Sequence, residues 1–341
     1  MPPADHQDPA EPGRAARLTV VVPVYNEAEV LASFHERLAR VLDGLGLAAD
    51  VVYVDDGSGD ATPMALSRLR EADPRVATLS LSRNFGKEIA LTAGLDHAGG
   101  DAVIVIDADL QDPPELIPDL VAGWREGFDV VYAQRLSRRG ESFLKRATAR
   151  LFYRLIQRLG GRVVIPADTG DFRLMSRRAV DALGRLREQH RFMKGLFSWI
   201  GFRQKAVPYH RDPRHAGDSK WNYWQLWNFS LEGITSFTIG PLKIATYVGL
   251  LTALFAFGYG IWIILDTLLY GNPVAGYPSL MVVILMLGGL QLMTIGIIGE
   301  YLGRVFNEAK GRPLYIVEEY RPPAVAQGER DAAAASAARR A

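Results

Sequence analysis

The sequence contains no cysteine, which excludes disulfide bonds, thiolate catalysis and zinc–thiolate sites. It also lacks an excess of charge of one sign, because 39 Lys and Arg residues balance 38 Asp and Glu residues. Nucleic-acid-binding proteins usually concentrate basic residues in one domain, so this balance does not support a nucleic-acid partner. Residues 1–17 lack the apolar core of a signal peptide and predict a disordered leader. Residues 321–341 are rich in Ala and Arg and predict a disordered tail.

Long apolar runs are present only towards the C-terminus of the sequence, at residues 244–265 and 277–299. Each is long enough for the roughly 20 residues that a membrane-spanning helix needs, so residues 240–300 predict two transmembrane helices. The link between the runs carries no Lys or Arg, whereas the flanking segments carry many. The positive-inside rule then places both termini in the cytoplasm. The alternative is that both runs are buried helices of a soluble core. It is disfavoured, because no other part of the sequence could surround two such helices.

Two further segments predict helices at the membrane interface. Residues 141–159 place apolar side chains at helical spacing among Lys and Arg, and residues 221–237 concentrate Trp and Tyr. Both patterns suit the headgroup layer of a bilayer, although ordinary packing against a core also explains them. Between the leader and the second segment, residues 18–220 form a separate domain, and residues 301–320 follow the spans as a cytoplasmic segment.

The first 135 residues alternate apolar runs typical of buried strands with helical stretches. This βαβα pattern predicts an α/β fold with a mostly parallel sheet and right-handed crossovers. The predicted strands cover residues 18–25, 51–56, 76–82, 102–109 and 129–135, and the predicted helices cover 27–42, 61–72, 87–98 and 114–126. Residues 312–320 also have strand character, and the sequence leaves open whether they pair within the chain or with a second subunit in a homo-oligomer.

Acidic residues follow two of the predicted strands, at the sheet edge where α/β proteins bind ligands. Asp107 and Asp109 close an apolar strand, and two carboxylates at this spacing can approach one hard cation such as Mg²⁺ or Mn²⁺. Such an ion neutralises charge on a leaving diphosphate. Asp55 and Asp56 end another strand, where a carboxylate can bind a base or a ribose, or can simply form an Asp–Gly turn.

Six motifs resemble those of known enzymes. Family 2 glycosyltransferases of the GT-A fold have similar motifs in the same order: PVYNE (23–27), VDDGS (54–58), SRNFGKE (82–88) and DADLQDPPE (107–115). Two more look like those of the dolichol-phosphate mannose synthase and bactoprenol glucosyltransferase branch: DTGDFRLM (168–175) and RHAGDSKW (214–221). The paired C-terminal spans are similar to the bactoprenol subgroup. The resemblance covers residues 18–320 and implies a GT-A, Rossmann-like catalytic domain.

The resemblance also implies site residues. The nucleotide-sugar site would comprise Pro23, Tyr25, Asn26, Glu27, Asp55, Asp56, Lys87, Asp107, Ala108 and Asp109, with Asp107 and Asp109 as the Mg²⁺ or Mn²⁺ ligands. The lipid-phosphate site would comprise Arg135, Arg214, Ser219 and Lys220. The catalytic candidates are Asp171, Asp168 and Gln111. Asp171 alternatively forms an ion pair with Arg173 or another nearby base and only shapes the loop.

The reaction implied is inverting transfer of a hexose from a nucleotide-sugar to undecaprenyl or another polyprenyl phosphate, at the cytoplasmic face of the inner membrane. The product would serve modification of cell-envelope glycans. UDP-glucose is the favoured donor, and GDP-mannose, UDP-galactose, UDP-N-acetyl sugars and a UDP-aminoarabinose derivative are alternatives. A processive polysaccharide synthase is disfavoured, because the sequence has no QxxRW motif. A catalytically silent membrane scaffold that binds the lipid carrier is an alternative of another class.

Overall fold

The computed structural model describes residues 16–136, 166, 169–209, 240–270 and 276–324. The chain divides into two compact units. The sheet unit comprises residues 1–149, 163–221 and 313–341, and the helical unit comprises residues 150–162 and 222–312. Several predictions concern residues outside the described ranges: the interfacial helices at 141–159 and 221–237, most of the leader and tail, and the site residues Asp168, Arg214, Ser219 and Lys220.

The sheet unit contains an eight-stranded sheet in the order β7-β5-β6-β4-β1-β2-β3-β8. Strands β1 to β4 are parallel to one another, β7 is parallel to β5, and β6 and β8 run antiparallel to their neighbours. The mostly parallel α/β sheet is therefore confirmed. The strands are β1 Arg17–Val24, β2 Ala48–Asp55, β3 Val76–Leu81, β4 Ala102–Val105, β5 Val130–Arg135, β6 Thr169–Ser176, β7 Gln204–Tyr209 and β8 Val317–Arg321.

Helices cover the sheet where the sequence has apolar residues at helical spacing. Pro63 lies in the first turn of α2, where its missing N–H costs nothing, and Ser176 caps α5 by accepting a hydrogen bond from the backbone N–H of Ala179. The described helices of this unit are α1 Ala28–Gly44, α2 Thr62–Ala72, α3 Lys87–His97, α4 Ile117–Arg125, α5 Arg177–Gly184 and α6 Met193–Trp199, with a 3₁₀ turn at Pro114–Leu116.

The core lies on both faces of the central strands. Val20 and Val22 of β1 are fully buried in a cluster with Phe34 of α1. On the other face α3 packs so closely that a Cβ atom at Gly94 would overlap the side chain of Val21. Burial on both faces explains why these strands are continuous apolar runs instead of alternating ones.

The structure corrects the end of one predicted strand and shows two strands that were not predicted. The strand predicted to reach Asp109 ends at Val105, so both acidic residues of the 107–109 motif lie on the turn that follows β4. β6 and β7 were not predicted as strands. β6 was missed because it carries the charged residues Asp171 and Arg173, which are nevertheless buried.

The C-terminal segment folds back on its own sheet. β8 pairs antiparallel with β3, and the Ser82 N–H donates to the carbonyl of Ile316 at 3.0 Å. Beyond this strand, the Ala324 N–H donates to the carbonyl of Pro74, also at 3.0 Å. Of the two pairings that the sequence left open, the structure shows the one within the chain.

The described part of the helical unit consists mainly of two long helices, α7 Gly240–Tyr270 and α8 Tyr277–Ala309. Among the side chains that the structure describes, one window, Ala245–Trp262, has the length and composition to cross a membrane. Large apolar side chains of α7 are exposed, for example Leu251 (72%) and Phe257 (70%). A helix with this much exposed apolar surface needs an apolar environment or a partner to cover it.

Candidate active site

The centre of the candidate site lies at the carboxyl end of β4. Val105, the last residue of β4, pairs with Val21 of β1 on one side and with Arg173 of β6 on the other. Because β4 and β6 are antiparallel, continuing this register by two residues places Asp107 beside Asp171. The chain then turns sharply, with Leu110 at a φ of 59°.

Lys87 joins the two carboxylates. Its Nζ atom lies 2.7 Å from Oδ2 of Asp107 and 2.8 Å from Oδ2 of Asp171. Lys87 is the first residue of α3, so this helix delivers its cation to the ends of β4 and β6. The three residues are separated widely in sequence, and only the sheet order brings them together.

Charges around this cluster shift two neighbouring carboxyl groups in opposite directions. Burial alone would raise the pKa of Asp171, but the positive charges of Lys87 and Lys194 lower it below its ordinary value. Burial, together with the negative charge of Asp171, raises the pKa of Glu88 to about 8. Asp171 is therefore an anion at neutral pH, whereas Glu88 keeps its proton.

Arg173 supports the strand that carries Asp171. Its Nη2 donates to the carbonyl of Gly170 at 2.8 Å, and its Nε donates to the carbonyl of Asp171 at 3.3 Å. The guanidinium stacks on Phe197, 3.7 Å from the ring centroid, and burial lowers its pKa to about 10. The Asp171 carboxylate thus pairs with Lys87, whereas Arg173 donates its hydrogen bonds to the backbone carbonyls of β6.

The predicted nucleoside corner is a network of backbone and side-chain hydrogen bonds between the ends of β1 and β2. Oδ1 of Asp55 accepts from the N–H of Ser58, and the Ser58 Oγ accepts from the N–H of Asn26, both at 2.9 Å. Tyr25 is 42% exposed, so its ring is available for stacking on a base. The network fixes the backbone at Asn26, directly after Tyr25.

Asp56 braces the loop before α3. Its Oδ1 accepts from the N–H of Phe85 at 2.7 Å, and its Oδ2 accepts from the N–H of Gly86 at 2.9 Å. Gly57, with a φ of 68°, allows that loop to approach, because a Cβ atom there would lie 2.6 Å from the carbonyl carbon of Arg83. Both oxygens of Asp56 therefore already have a structural partner, and any contact with a nucleoside would be additional.

A second buried cluster adjoins the first. The hydroxyl of Tyr209 donates to Oδ1 of Asp112, and Nε of Arg135 donates to the Tyr209 hydroxyl at 3.1 Å. Burial and the charge of Asp112 raise the pKa of Tyr209 to about 12, so its hydroxyl stays protonated. Asp112 lies inside the recognisable 107–115 motif, whereas no motif distinguishes Tyr209.

Asp107 and Asp109 offer a donor set of carboxylate oxygens, the kind that Mg²⁺ and Mn²⁺ prefer. Oδ1 of Asp109 also accepts from the N–H of Gln111 at 3.1 Å, which holds the turn. In the described part of the chain, no group of three or more His, Asp or Glu side chains is arranged to hold a metal. Asp107 and Asp109 could hold a metal only together with ligands from elsewhere, such as a diphosphate and water.

Comparison with known proteins identifies the family. Residues 19–184 match the model of glycosyl transferase family 2, and residues 240–305 match that of the GtrB C-terminal hairpin. A prophage-derived bactoprenol glucosyl transferase of Shigella flexneri is 50% identical over 303 residues, covering 89% of this chain and 98% of the relative. This chain belongs to glycosyl transferase family 2. It is a glycosyltransferase, and its mostly parallel sheet is the GT-A fold that the motifs implied.

A second relative and a solved structure are also similar to this family 2 glycosyltransferase. An uncharacterised glycosyltransferase of Synechocystis is 52% identical over 302 residues, covering 89% of this chain and 95% of the relative. Among solved structures, glucosyl-3-phosphoglycerate synthase of Mycobacterium tuberculosis in complex with Mn²⁺, uridine diphosphate and phosphoglyceric acid is similar with a TM-score of 0.45. It is 21% identical, and the match covers 64% of this chain and 76% of that one.

The structure of the glycosyltransferase brings together several of the predicted site residues, namely Asp107, Asp171 and Lys87. Sequence reasoning missed Glu88 and Tyr209. Glu88 directly follows Lys87 within a recognisable motif, which is a signal that could have drawn notice. Tyr209 gave no signal, because its role depends on pairing between distant strands.

Proposed function

We propose that the protein transfers a hexose, most favourably from UDP-glucose, to undecaprenyl phosphate or a similar polyprenyl phosphate at the cytoplasmic membrane face. The observation that carries the proposal is the cluster at the ends of β4 and β6, where Lys87 joins Asp107 to Asp171. This cluster offers groups for a charged diphosphate and for a sugar at one sheet edge. The 50% identity to bactoprenol glucosyl transferases supports a polyprenyl carrier as the acceptor.

The acceptor chemistry needs positioning more than proton removal. A phosphate monoester has a second pKa near 6 and is largely a dianion at neutral pH. One of its oxygens attacks the anomeric carbon with a lone pair, the bond from that carbon to the diphosphate oxygen breaks, and a nucleoside diphosphate leaves. A single displacement of this kind inverts the anomeric centre. Asp171, an anion held by Lys87, would orient the sugar in this step instead of taking a proton.

The donor diphosphate carries negative charge that must be neutralised. Asp107 and Asp109 would hold Mg²⁺ or Mn²⁺, which when bound supplies that neutralisation. Lys87 adds a second positive charge at the same place, 2.7 Å from Asp107. Pro23, Tyr25 and the neighbouring network would hold the nucleoside on the adjacent strand.

The acceptor is expected to arrive from a membrane. The exposed apolar surface of α7 and the match of residues 240–305 to a C-terminal hairpin support association with a membrane. In this proposal the hairpin crosses the inner membrane twice, with both termini in the cytoplasm. Arg214, Ser219 and Lys220 lie between β7 and this hairpin in sequence. Together with Arg135 they would bind the phosphate of the lipid.

A donor panel tests the proposal. The full-length protein in detergent is incubated with Mn²⁺, undecaprenyl phosphate and radiolabelled UDP-glucose, UDP-galactose, GDP-mannose or a UDP-N-acetyl sugar. We expect label in the chloroform phase, mainly from UDP-glucose, and none with the Asp107→Asn variant. Absence of a chloroform-soluble product with every donor would refute the proposal. Retention of polyprenyl-phosphate binding without turnover would instead support the silent scaffold.

A further inference from the structure

Three side chains form a compact hydrogen-bonded group beside the Lys87 cluster, here called the Tyr209 triad: Asp112, Arg135 and Tyr209. The Tyr209 hydroxyl donates to Oδ1 of Asp112 and accepts from Nε of Arg135 at 3.1 Å. Nη2 of Arg135 lies 3.7 Å from the same Asp112 oxygen. Asp112 and Tyr209 are buried, whereas the Arg135 side chain is 24% exposed, so Arg135 is the member of the triad that solvent reaches most.

The triad connects three chain segments at one edge of the sheet. Arg135 and Tyr209 are the last residues of β5 and β7, and they are partners in the parallel register of these strands. The N–H of Leu136 donates to the carbonyl of Tyr209 at 3.0 Å, which extends that pairing by one residue. Asp112 belongs to the turn that carries Asp107 and Asp109. The triad therefore ties the turn with the carboxylate pair to the ends of two other strands.

Gly170 lies against the guanidinium of Arg135. A Cβ atom at this position would lie 3.2 Å from Nη2 of Arg135 and 3.5 Å from Oδ2 of Asp112. The guanidinium thus lies against bare backbone, one residue before Asp171. A Cβ atom here would require the guanidinium to shift by a few tenths of an ångström.

A hydroxyl is the group that this arrangement requires at position 209. It accepts one hydrogen bond and donates another, so it can stand between a guanidinium and a carboxylate, which a phenyl ring cannot do. Because Nε of Arg135 is hydrogen-bonded to Tyr209, the two terminal nitrogens of the guanidinium are the ones that can donate hydrogen bonds to a phosphate. An arginine whose fork is already oriented loses less conformational freedom when it binds an anion.

We propose that Asp112, Tyr209 and Gly170 are positioning residues, which orient the Arg135 guanidinium towards the phosphate of the lipid acceptor beside Asp171. The inference rests on the proposed function, since it presumes a phosphate acceptor. It adds three residues that act through Arg135 and touch neither donor nor acceptor themselves.

Steady-state kinetics of the full-length protein in detergent, with labelled UDP-glucose and undecaprenyl phosphate varied in turn, test the proposal. Tyr209→Phe should raise KM for the acceptor by about tenfold, because the hydrogen bonds of the hydroxyl to Asp112 and Arg135 are both lost and the guanidinium is no longer held in place. KM for the donor should stay unchanged. Gly170→Ala should act in the same direction. In a double variant with Arg135→Gln, Tyr209→Phe should add no further effect, since both changes remove the same interaction.

Tyr53→Phe is the matched control. Tyr53 is a fully buried tyrosine of β2 whose hydroxyl shares a hydrogen bond of 2.9 Å with Nδ1 of His35, away from the triad. This variant should lower the thermal unfolding temperature without changing KM for the acceptor. An effect of Tyr209→Phe confined to thermal stability, or spread equally over both substrates, would overturn the inference.

The inference and the proposed function can fail separately. If the wild type makes a lipid-linked sugar but Arg135→Gln leaves KM for the acceptor unchanged, the inference is wrong and the proposed function stands. If the wild type makes no lipid-linked product, the proposed function is wrong and the inference falls with it.

Discussion

Replacement of Lys87 by methionine probes the centre of the site. The ammonium group lies 2.7 Å from Asp107 and 2.8 Å from Asp171, so its loss leaves two carboxylates facing each other without the cation between them. Breaking a fully buried ion pair costs about 3–5 kcal/mol, whereas an exposed pair contributes about 0–1 kcal/mol. The Lys87 side chain is 45% exposed, which places the expected loss between these limits, at about 2 kcal/mol.

Thermal unfolding of the purified protein measures this loss. For a unit of this size, about 2 kcal/mol corresponds to a fall of about 4–8 °C in Tm. Lys205→Met is the matched control, because Lys205 pairs with Glu126 on the surface, where both side chains are more than one-third exposed. We expect the control to shift Tm by much less, since Lys205 has one carboxylate partner that is 53% exposed, whereas Lys87 has two that are 27% and 10% exposed. Equal shifts for the two variants would refute the reasoning.

The change in Tm on addition of Mn²⁺, measured on the same proteins, distinguishes loss of the Lys87 charge from loss of its packing. In the donor-free protein Lys87 already neutralises Asp107, so an added divalent cation must compete with it. Mn²⁺ should therefore raise Tm of Lys87→Met more than it raises Tm of the wild type or of Lys205→Met. The same Mn²⁺ response in all three proteins would show that Asp107 is not the group that Lys87 and the metal share.

Three further variants test individual carboxyl groups. Asp109→Ala should abolish the Mn²⁺-dependent part of nucleotide-sugar binding measured by calorimetry, and an unchanged affinity would remove Asp109 from the metal site. Asp171→Asn should keep donor binding but lower turnover by about tenfold to 100-fold, and full activity would exclude Asp171 from the reaction. Because burial raises the pKa of Glu88 from 4.5 to about 8, the folded protein binds a proton that the unfolded chain lacks between these values. Stability should therefore fall as pH rises through that window, on the order of 1 kcal/mol per pH unit. Glu88→Gln should flatten this dependence in unfolding experiments at pH 5 and pH 8, and an identical pH slope in both proteins would contradict the assignment.

Much of the fold follows from local patterns. The apolar runs of β1 to β5 and the helical spacing of α1 to α4 are contained in contiguous residues, so the α/β class and the parallel sheet could be predicted. Hydropathy likewise predicted the apolar stretches that form α7 and α8. β6 was missed because its local sequence does not show that it is buried. Its buried Asp171 and Arg173 look like solvent-facing residues until their partners are known.

The arrangement of the site needed the tertiary structure. The resemblance implied that Asp107 and Lys87 bind the nucleotide-sugar and that Asp171 is a catalytic candidate, but it did not indicate that Lys87 binds both carboxylates. That contact depends on β4 lying between β1 and β6, and on the antiparallel register that sets Asp107 beside Asp171. Strand order and register are set by pairing between residues far apart in the chain, whereas periodicity and composition report on neighbours. For the same reason, the local sequence shows which side chains are acidic, basic or apolar, and only the folded sheet shows that Tyr209 joins Asp112 to Arg135.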